Sequence, residues 1–300
     1  MTGLDAIHLN FSPASLHLLN AILGIVMFSV AIDLAPRDFR ALLARPKSLI
    51  VGFASQFFVL PALTFALVSV MQPRPSIALG LILVAACPGG NVSNFFTHRA
   101  GGNTALSVSL TAFSTAAAIV LTPLNIAFWG SLYGPTRALL HETSIDPVQV
   151  AITVVVMLLL PLLAGIALNQ ARPDITARLR GPLKWVSMGI FLAFVLLSLA
   201  ANWSYFLQFV GLIAGLVVLH NALAFVGGYA TATLAGLSPY DRRSVTIETG
   251  IQNSGLGLVL IFAFFGGLGG MAIVAAFWGI WHIIAGFTLS TLMARKEAAR

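Results

Sequence analysis

Between Ser48 and Pro73, and again between Ala100 and Thr136, the chain carries no charged side chain. Each run is longer than the roughly 20 residues a helix needs to cross the hydrocarbon core of a bilayer. Over all 300 residues only 8% are Asp, Glu, Lys or Arg, where a soluble domain has about 25%. A water-soluble globule is therefore excluded. A membrane barrel is excluded too, because its strands are ~10-residue stretches of alternating hydrophobicity, and the runs here are long and continuous.

Cutting at charge clusters and at Gly, Pro and Asn breaks yields apolar segments at 14–34, 48–71, 76–97, 103–130, 147–169, 184–203, 206–236, 245–266 and 270–293. The expected fold is an all-α polytopic membrane protein with nine transmembrane helices, a single integral unit over residues 1–300. Basic residues test the cut, since Lys and Arg in short loops collect on the cytoplasmic side. Taken alternately, one set of loops and tails holds Arg37, Arg40, Arg45, Lys47, Arg99, Arg172, Arg178, Arg180, Lys184, Arg242, Arg243, Arg295, Lys296 and Arg300, and the other only Arg74 and Arg137. One miscounted span would scramble that separation, so the N-terminus is expected outside and the C-terminus in the cytoplasm. Trp129, Tyr133, Trp203 and Tyr205 near outer ends, and Trp185 near an inner one, suit interfacial anchoring and equally suit ordinary packing.

The net charge of +7 is thus a matter of topology, and no nucleic-acid partner is expected. Cys87 is the single cysteine, which removes an intrachain disulfide and a thiolate metal cage. No Lys or Arg precedes Arg37, so the first apolar stretch lacks the basic start of a cleaved leader and is expected to stay in the chain.

Two segments carry polar, helix-breaking runs at membrane depth. They are Cys87-Pro88-Gly89-Gly90-Asn91-Val92-Ser93-Asn94 in the third and Glu248-Thr249-Gly250-Ile251-Gln252-Asn253-Ser254-Gly255 in the eighth. Proline removes a backbone donor and glycine weakens helix. The freed groups are tolerated at that depth only where protein or water surrounds them. A single such break reads as a packing kink; two, each loaded with amides and hydroxyls, point to a site. The breaks lie five spans apart, so their helices run in opposite directions. Paired broken helices in antiparallel halves are the pattern of inverted-repeat transporters with a midplane site. Nine spans divide as four and five, which leaves one half short of a peripheral helix.

Of the nine acidic residues, Asp5, Asp38, Glu142, Asp146, Asp174, Asp241 and Glu297 are expected in loops or tails and Asp33 near the cytoplasmic end of the first span; Glu248 alone falls within a broken segment. A carboxylate at the bilayer centre costs about 2.5–3.5 kcal/mol even on lenient scales, so Glu248 must be paired, protonated or bound to a cation. Arg242 and Arg243 offer an interfacial ion pair as the plainer alternative. Small hard cations take oxygen ligands, and Ser107 and Thr111 supply them on the fourth segment, while Ser114 and Thr115 on the same face read as polar glue between helices. Gln56, five residues before Pro61, is another amide that needs a partner. His220 and His282 lie in apolar spans, where a satisfied packing histidine is commoner than a proton carrier; His282 is also a candidate for pocket lining.

The CPGGNVSN run at 87–94, the GGNTALSVSLT run at 101–111 and RRSVTIETGIQNSG at 242–255 resemble the bile acid:sodium symporter family, and the likeness covers nearly the whole chain from Phe28 onward. The resemblance implies a panel domain, here spans 1, 5 and 6, packed on a core domain of spans 2–4 and 7–9 in which the broken third and eighth spans cross. It implies one sodium site at Ser93, Asn94, Ser107, Thr111 and Glu248. A second would use Gln56, Glu248 and Gln252 with the backbone carbonyls of Thr249 and Ile251. Substrate would sit near Asn91, Asn253 and His282. Around that pocket Ile283 stands where bacterial relatives often have Asn, and Asn91 where some have Thr. Bacterial members often have ten spans; this chain looks like the nine-span variety, lacking the first.

The function so implied is sodium-coupled symport of an organic anion, bile acid-like or a small carboxylate such as pantoate, by alternating access in the bacterial inner membrane. Two sodium ions, no organic cofactor, a surrounding bilayer and a monomeric state are expected, and no enzymatic activity. The alternatives are a proton-coupled carrier using Glu248, an arsenite-type carrier using Cys87, and a non-transporting receptor, which has no need of paired breaks. An intramembrane hydrolase would need HExxH or paired aspartates, and the sequence has neither motif.

Overall fold

The computed structural model describes residues 13–32, 46–142, 152, 155–201 and 203–298. Asp5, Asp33, Arg37, Asp38, Arg40, Arg45, Asp146 and Arg300, which entered the charge argument, lie outside the described residues, as do the ends of the first and fifth apolar segments.

Proline sets many of the boundaries. Its missing N–H costs nothing at a first helical position, and it pushes the residue before it into extended backbone. Helices accordingly begin at Pro46, Pro75, Pro173 and Pro239, and Arg74 and Ser238, each just ahead of one, take ψ of 146° and 152°. In chain order the helices are α1 Pro13–Ala31, α2 Pro46–Ala54, α3 Leu60–Met71, α4 Pro75–Ala86, α5 Val92–Arg99, α6 Thr104–Leu132, α7 Gly134–Glu142, α8 Leu160–Ala171, α9 Pro173–Ala201, α10 Trp203–Leu234, α11 Pro239–Gly250, α12 Ser254–Phe264 and α13 Gly269–Ala298. They run through most of the described parts of the apolar segments, interrupted at 87–91 and 251–253. Among the described residues four helical stretches, Pro46–Met71, Thr104–Leu132, Ile213–Leu234 and Gly269–Arg295, are long and apolar enough to cross a membrane, and α4, α8 and α12 are shorter apolar helices.

A π-helical turn at Ser55–Val59 joins α2 to α3, and a second at Val155–Leu159 precedes α8; Leu-Pro follows each. A proline inside a helix strips the carbonyl four residues back of its donor and clashes with it, and a widened turn relieves both. The wide turn brings Ser55, Gln56 and Phe57, three consecutive residues, into the interior together.

The core lies around the short helices. Every residue of α4 from Ser76 to Ala86 is buried, as is α12 from Ser254 to Ile261. Both are apolar on all sides, the pattern of a helix enclosed by others. The long helices instead turn bulky apolar side chains outward, with Leu234 89% and Val70 80% exposed, a surface suited to lipid.

Each enclosed helix borders a break: α4 runs into one, and α12 starts from the one that closes α11. Cys87, driven out of helix by Pro88, closes α4 in extended backbone, and Ile251 does the same for α11. The two breaks lie antiparallel against one another: Gly90 N–H donates to Ile251 O at 2.8 Å and Asn253 N–H donates to Pro88 O at 2.8 Å. Each break thus satisfies the other's backbone groups, which is what burial away from water demands. Gly90 is needed for this approach, since a Cβ there would lie 3.0 Å from Gln252 O, and neither Gly89 nor Gly90 has a left-handed φ.

Several boundaries differ from the sequence expectation, because a hydropathy cut discards polar helix ends. Helix α9 starts at Pro173, well ahead of its apolar segment, so Asp174, Arg178 and Arg180 are helical, and Glu142 closes α7 and Glu297 lies in α13 where loops or a tail were expected. Helix α11 starts at Pro239, ahead of the apolar segment, with Ser238 Oγ capping it by accepting from Asp241 N–H at 3.1 Å. Asp241 therefore belongs to a helical first turn and is buried, not a loop residue. A hydropathy cut discards a polar first turn, whereas Ser-Pro-x-Asp is itself a helix-start signal.

Candidate functional site

Glu248 on α11 is 1% exposed. Hydroxyls from two other helices converge on its Oε1: Ser93 of α5 donates at 2.5 Å, Thr111 of α6 at 3.0 Å, and Ser107 of α6 donates as well. Ser107 and Thr111 are four residues apart and so share a face. Asn94, next to Ser93, places Oδ1 2.9 Å from Ser107 Oγ and 3.4 Å from Thr111 Oγ1. The five residues assigned by resemblance to one sodium site thus meet in space.

Proton accounting gives the cluster its chemistry. A hydroxyl has one proton to donate, yet Thr111 Oγ1 faces both Glu248 oxygens, Asn94 Oδ1 and, at 3.1 Å, Ser107 O. Lone pairs outnumber protons around a buried negative charge, and a hard cation with oxygen preference suits that surplus. Of the two arginines of the ion-pair alternative, Arg243 donates to Ala100 O at 3.1 Å and Gly101 O at 3.0 Å, and Arg242 donates to Leu237 O at 3.2 Å.

A second group adjoins the first. Gln56 Nε2 and Glu248 Oε2 each lie 2.7 Å from the point where a Cβ on Gly89 would stand, so they flank that glycine and are no further apart than twice that distance. Both amide atoms of Gln56, and Gln252 Oε1, are buried without a protein partner, a state that ordinarily costs about 1–3 kcal/mol per group. Gln252 Nε2 donates to Thr249 O at 2.8 Å, and Ile251 O accepts from Gly90 N–H. Each carbonyl keeps a second lone pair for another partner. The Thr249 side chain is held by Ser55, Oγ to Oγ1 at 2.9 Å.

Asn91 and Asn253 flank the paired breaks at the N-cap positions of α5 and α12; the Asn91 side chain makes no capping bond, whereas Asn253 Oδ1 accepts from Leu256 N–H at 3.0 Å, which leaves its amide N–H groups for other partners. His282 lies on α13 between Gly279, which packs on Ser254, and Gly286, which packs on Phe96 and Ile251. Its Nδ1 is buried without a protein partner, and its ring stands edge-on to Trp278. His220 is a different case: Trp278 Nε1–H donates to its Nδ1 at 2.9 Å, which leaves the ring proton on Nε2 to donate to Thr64 Oγ1 at 2.7 Å, and Thr64 donates onward to Leu60 O at 2.8 Å. Both nitrogens are used in packing. Ser114 likewise serves its own helix, donating to Thr111 O at 3.2 Å. Cys87 is buried against Gly257, and among the described residues no group of three His, Cys, Asp or Glu side chains able to hold a metal occurs.

Sequence reasoning missed Asn221 and Asn103. Asn221 on α10, 1% exposed, donates to Gly250 O at 2.8 Å, capping the carbonyl end of α11 beside Glu248. An amide inside an apolar span was the available signal, overshadowed by His220 next to it. Asn103 donates to Asp241 at 2.7 Å; the reading of Asp241 as a loop residue hid that link.

Comparison with known proteins bears on this geometry. A family model described as the Sodium Bile acid symporter family matches residues 21–209. An uncharacterized sodium-dependent transporter, YocS of Bacillus subtilis, is 34% identical over 274 residues, 91% of this chain and 82% of its own length. The probable sodium/metabolite cotransporter BASS1 of Arabidopsis thaliana chloroplasts is 32% identical over 91% of this chain and 66% of its own, and P3 protein of Homo sapiens 28% identical over 86% and 53%. The chain thus spans most of the bacterial relative's length and about half to two thirds of these eukaryotic ones.

Proposed function

The chain belongs to the sodium bile acid symporter family, and we propose that it is a sodium-coupled secondary carrier that moves an organic anion across the membrane by alternating access. The observation that carries this reading is the buried Glu248 carboxylate ringed by Ser93, Ser107, Thr111 and Asn94, with the unpartnered amide oxygens of Gln56 and Gln252 beside it. One sodium ion takes its ligands from the first group. A second lies between Gln56, Glu248 and Gln252 with the Thr249 and Ile251 carbonyls; for this the Gln56 amide turns over to present Oε1.

Two sodium ions, one carboxylate and a monoanionic substrate sum to zero charge, which removes the cost of burying an unpaired charge. The anion lies near Asn91, Asn253 and His282. The cargo carries +1, so each cycle gains about 2.3 kcal/mol per 100 mV of inside-negative potential. The architecture that goes with this is nine spans, with the crossing third and eighth in a core domain of spans 2–4 and 7–9 and a panel of spans 1, 5 and 6. The N-terminus faces outward and the C-terminus the cytoplasm, the carrier acts as a monomer, and it resides in the bacterial inner membrane.

A screen of organic anions by thermal shift, with and without sodium, identifies the substrate, because a ligand stabilises by binding the folded state. Uptake of that anion into proteoliposomes then tests coupling. Sodium-driven uptake that loses its sodium dependence in Glu248→Gln is expected. Equal uptake in choline, or a Glu248→Gln variant with unaltered sodium dependence, refutes the proposal.

A further inference from the structure

Asp241 sits where three of the helices around Glu248 begin. It is in the first turn of α11 and 6% exposed, and an ionisable side chain so enclosed in a membrane protein needs defined partners. Its Oδ2 accepts from Ser48 Oγ at 2.7 Å, in the first turn of α2, and its Oδ1 from Asn103 Nδ2 at 2.7 Å. Asn103 is the N-cap of α6: its Oδ1 accepts from Leu106 N–H at 3.1 Å. Two bonds to backbone carbonyls reinforce the joint, from Asn103 N–H to Tyr240 O at 3.2 Å and from the Ser244 hydroxyl to Asn103 O at 3.0 Å. One carboxylate thus ties three helix N-termini together, and their positive dipole ends favour an anion there.

The same three chain segments meet again about two turns further on, the first at Ser55, where α2 has passed into the wide turn. Glu248 lies seven residues beyond Asp241, Ser55 seven beyond Ser48, and Thr111 eight beyond Asn103. At 1.5 Å per residue that second layer is about 11 Å away, and seven residues, close to two full turns, return to the same helix face. There Ser55 meets Thr249, and Ser107 and Thr111 meet Glu248. A slip of one residue between neighbouring helices would displace ligands by about 1.5 Å, where a functional site tolerates about 0.5 Å.

We propose that Asp241 is a positioning residue for the Glu248 cation site, a buried anionic strut that sets the axial register of α2, α6 and α11. It works through the helices and not by touching the ion. The proposal rests on the cation reading of the Glu248 cluster.

The test is a titration of the purified full chain in detergent with sodium chloride against choline chloride at fixed ionic strength, with the thermal midpoint as signal. Asp241→Asn removes the charge that the three helix ends share and leaves one side-chain acceptor where the carboxylate offers two, and the sodium concentration for half-saturation rises at least tenfold, the lower end of the roughly 10–100-fold range seen for partners that orient metal ligands. Ser48→Ala gives a smaller rise, and the double variant is no worse than Asp241→Asn alone, because both act through one bond. A merely structural role lowers the midpoint in choline and leaves the half-saturation concentration unchanged, which overturns the proposal. If Asp241→Asn does not fold, Ser48→Ala decides on the same readout. Absence of any sodium response in the unaltered chain fells the cation reading and the strut with it; a normal response there with unshifted variants fells the strut alone.

Discussion

Gly89→Ala puts the cation reading at risk with one carbon atom. The added Cβ stands 2.7 Å from Gln56 Nε2 and 2.7 Å from Glu248 Oε2, where ordinary contact begins at 3.4 Å. Each group must retreat by roughly 0.7 Å, more than three times the ~0.2 Å within which metal-ligand distances are held. Both neighbours are ends of flexible side chains, and Gly89 has no left-handed φ. The backbone therefore accepts alanine, and the gain of about 0.4–1 kcal/mol from a stiffer unfolded chain offsets the local strain. The expected result is a split: a thermal midpoint in choline chloride close to that of the unaltered chain, with sodium affinity lowered 10–100-fold, about 1.4–2.8 kcal/mol. Gly257→Ala is the control. Its Cβ meets Leu83 Cδ2 at 3.1 Å, an apolar neighbour, so whatever it does to the midpoint it leaves Gln56 and Glu248 in place and spares sodium affinity. Unchanged sodium half-saturation in Gly89→Ala would refute the reasoning, because the methyl group cannot enter without moving Glu248 or Gln56.

Two further outcomes follow from the same geometry. His282→Ala should weaken stabilisation by the transported anion while leaving sodium half-saturation, measured without anion, within about twofold, a change under 0.5 kcal/mol; equal losses of both would remove His282 from the substrate pocket. Asn221→Ala leaves the buried Gly250 carbonyl without its side-chain donor, at a cost of about 1–3 kcal/mol, to be read as a lower thermal midpoint in both sodium and choline.

The broken segments and Glu248 were legible because rare residue types mark them: Pro, Gly and a carboxylate stand out against uncharged apolar sequence. Helix starts at proline were legible for the same reason. What stayed hidden depends on which segments touch. That the breaks pair through Gly90 and Asn253 N–H groups is a backbone property, invisible to side-chain patterning. Gly89 and Gly90 read as helix weakeners, yet their role is to leave room for Gln56, Glu248 and Gln252. The wide turn at Ser55–Val59 changes which side chains face inward, and a 3.6-residue period does not anticipate it. Asp241 was misplaced because hydropathy ends a segment where polarity begins, while a helix continues through its polar first turn.

The pairing of the two breaks also bears on how such a chain is made. Pro88 O and Gly90 N–H find their partners in Asn253 and Ile251, over 160 residues later in the sequence. At the 5–20 residues per second of synthesis, that interval is about 8–33 s. The earlier segment therefore spends its first moments with main-chain groups that only the distant segment can quench. The first half of the protein is not a self-sufficient insertion unit, and the last three helices complete it as much as they follow it.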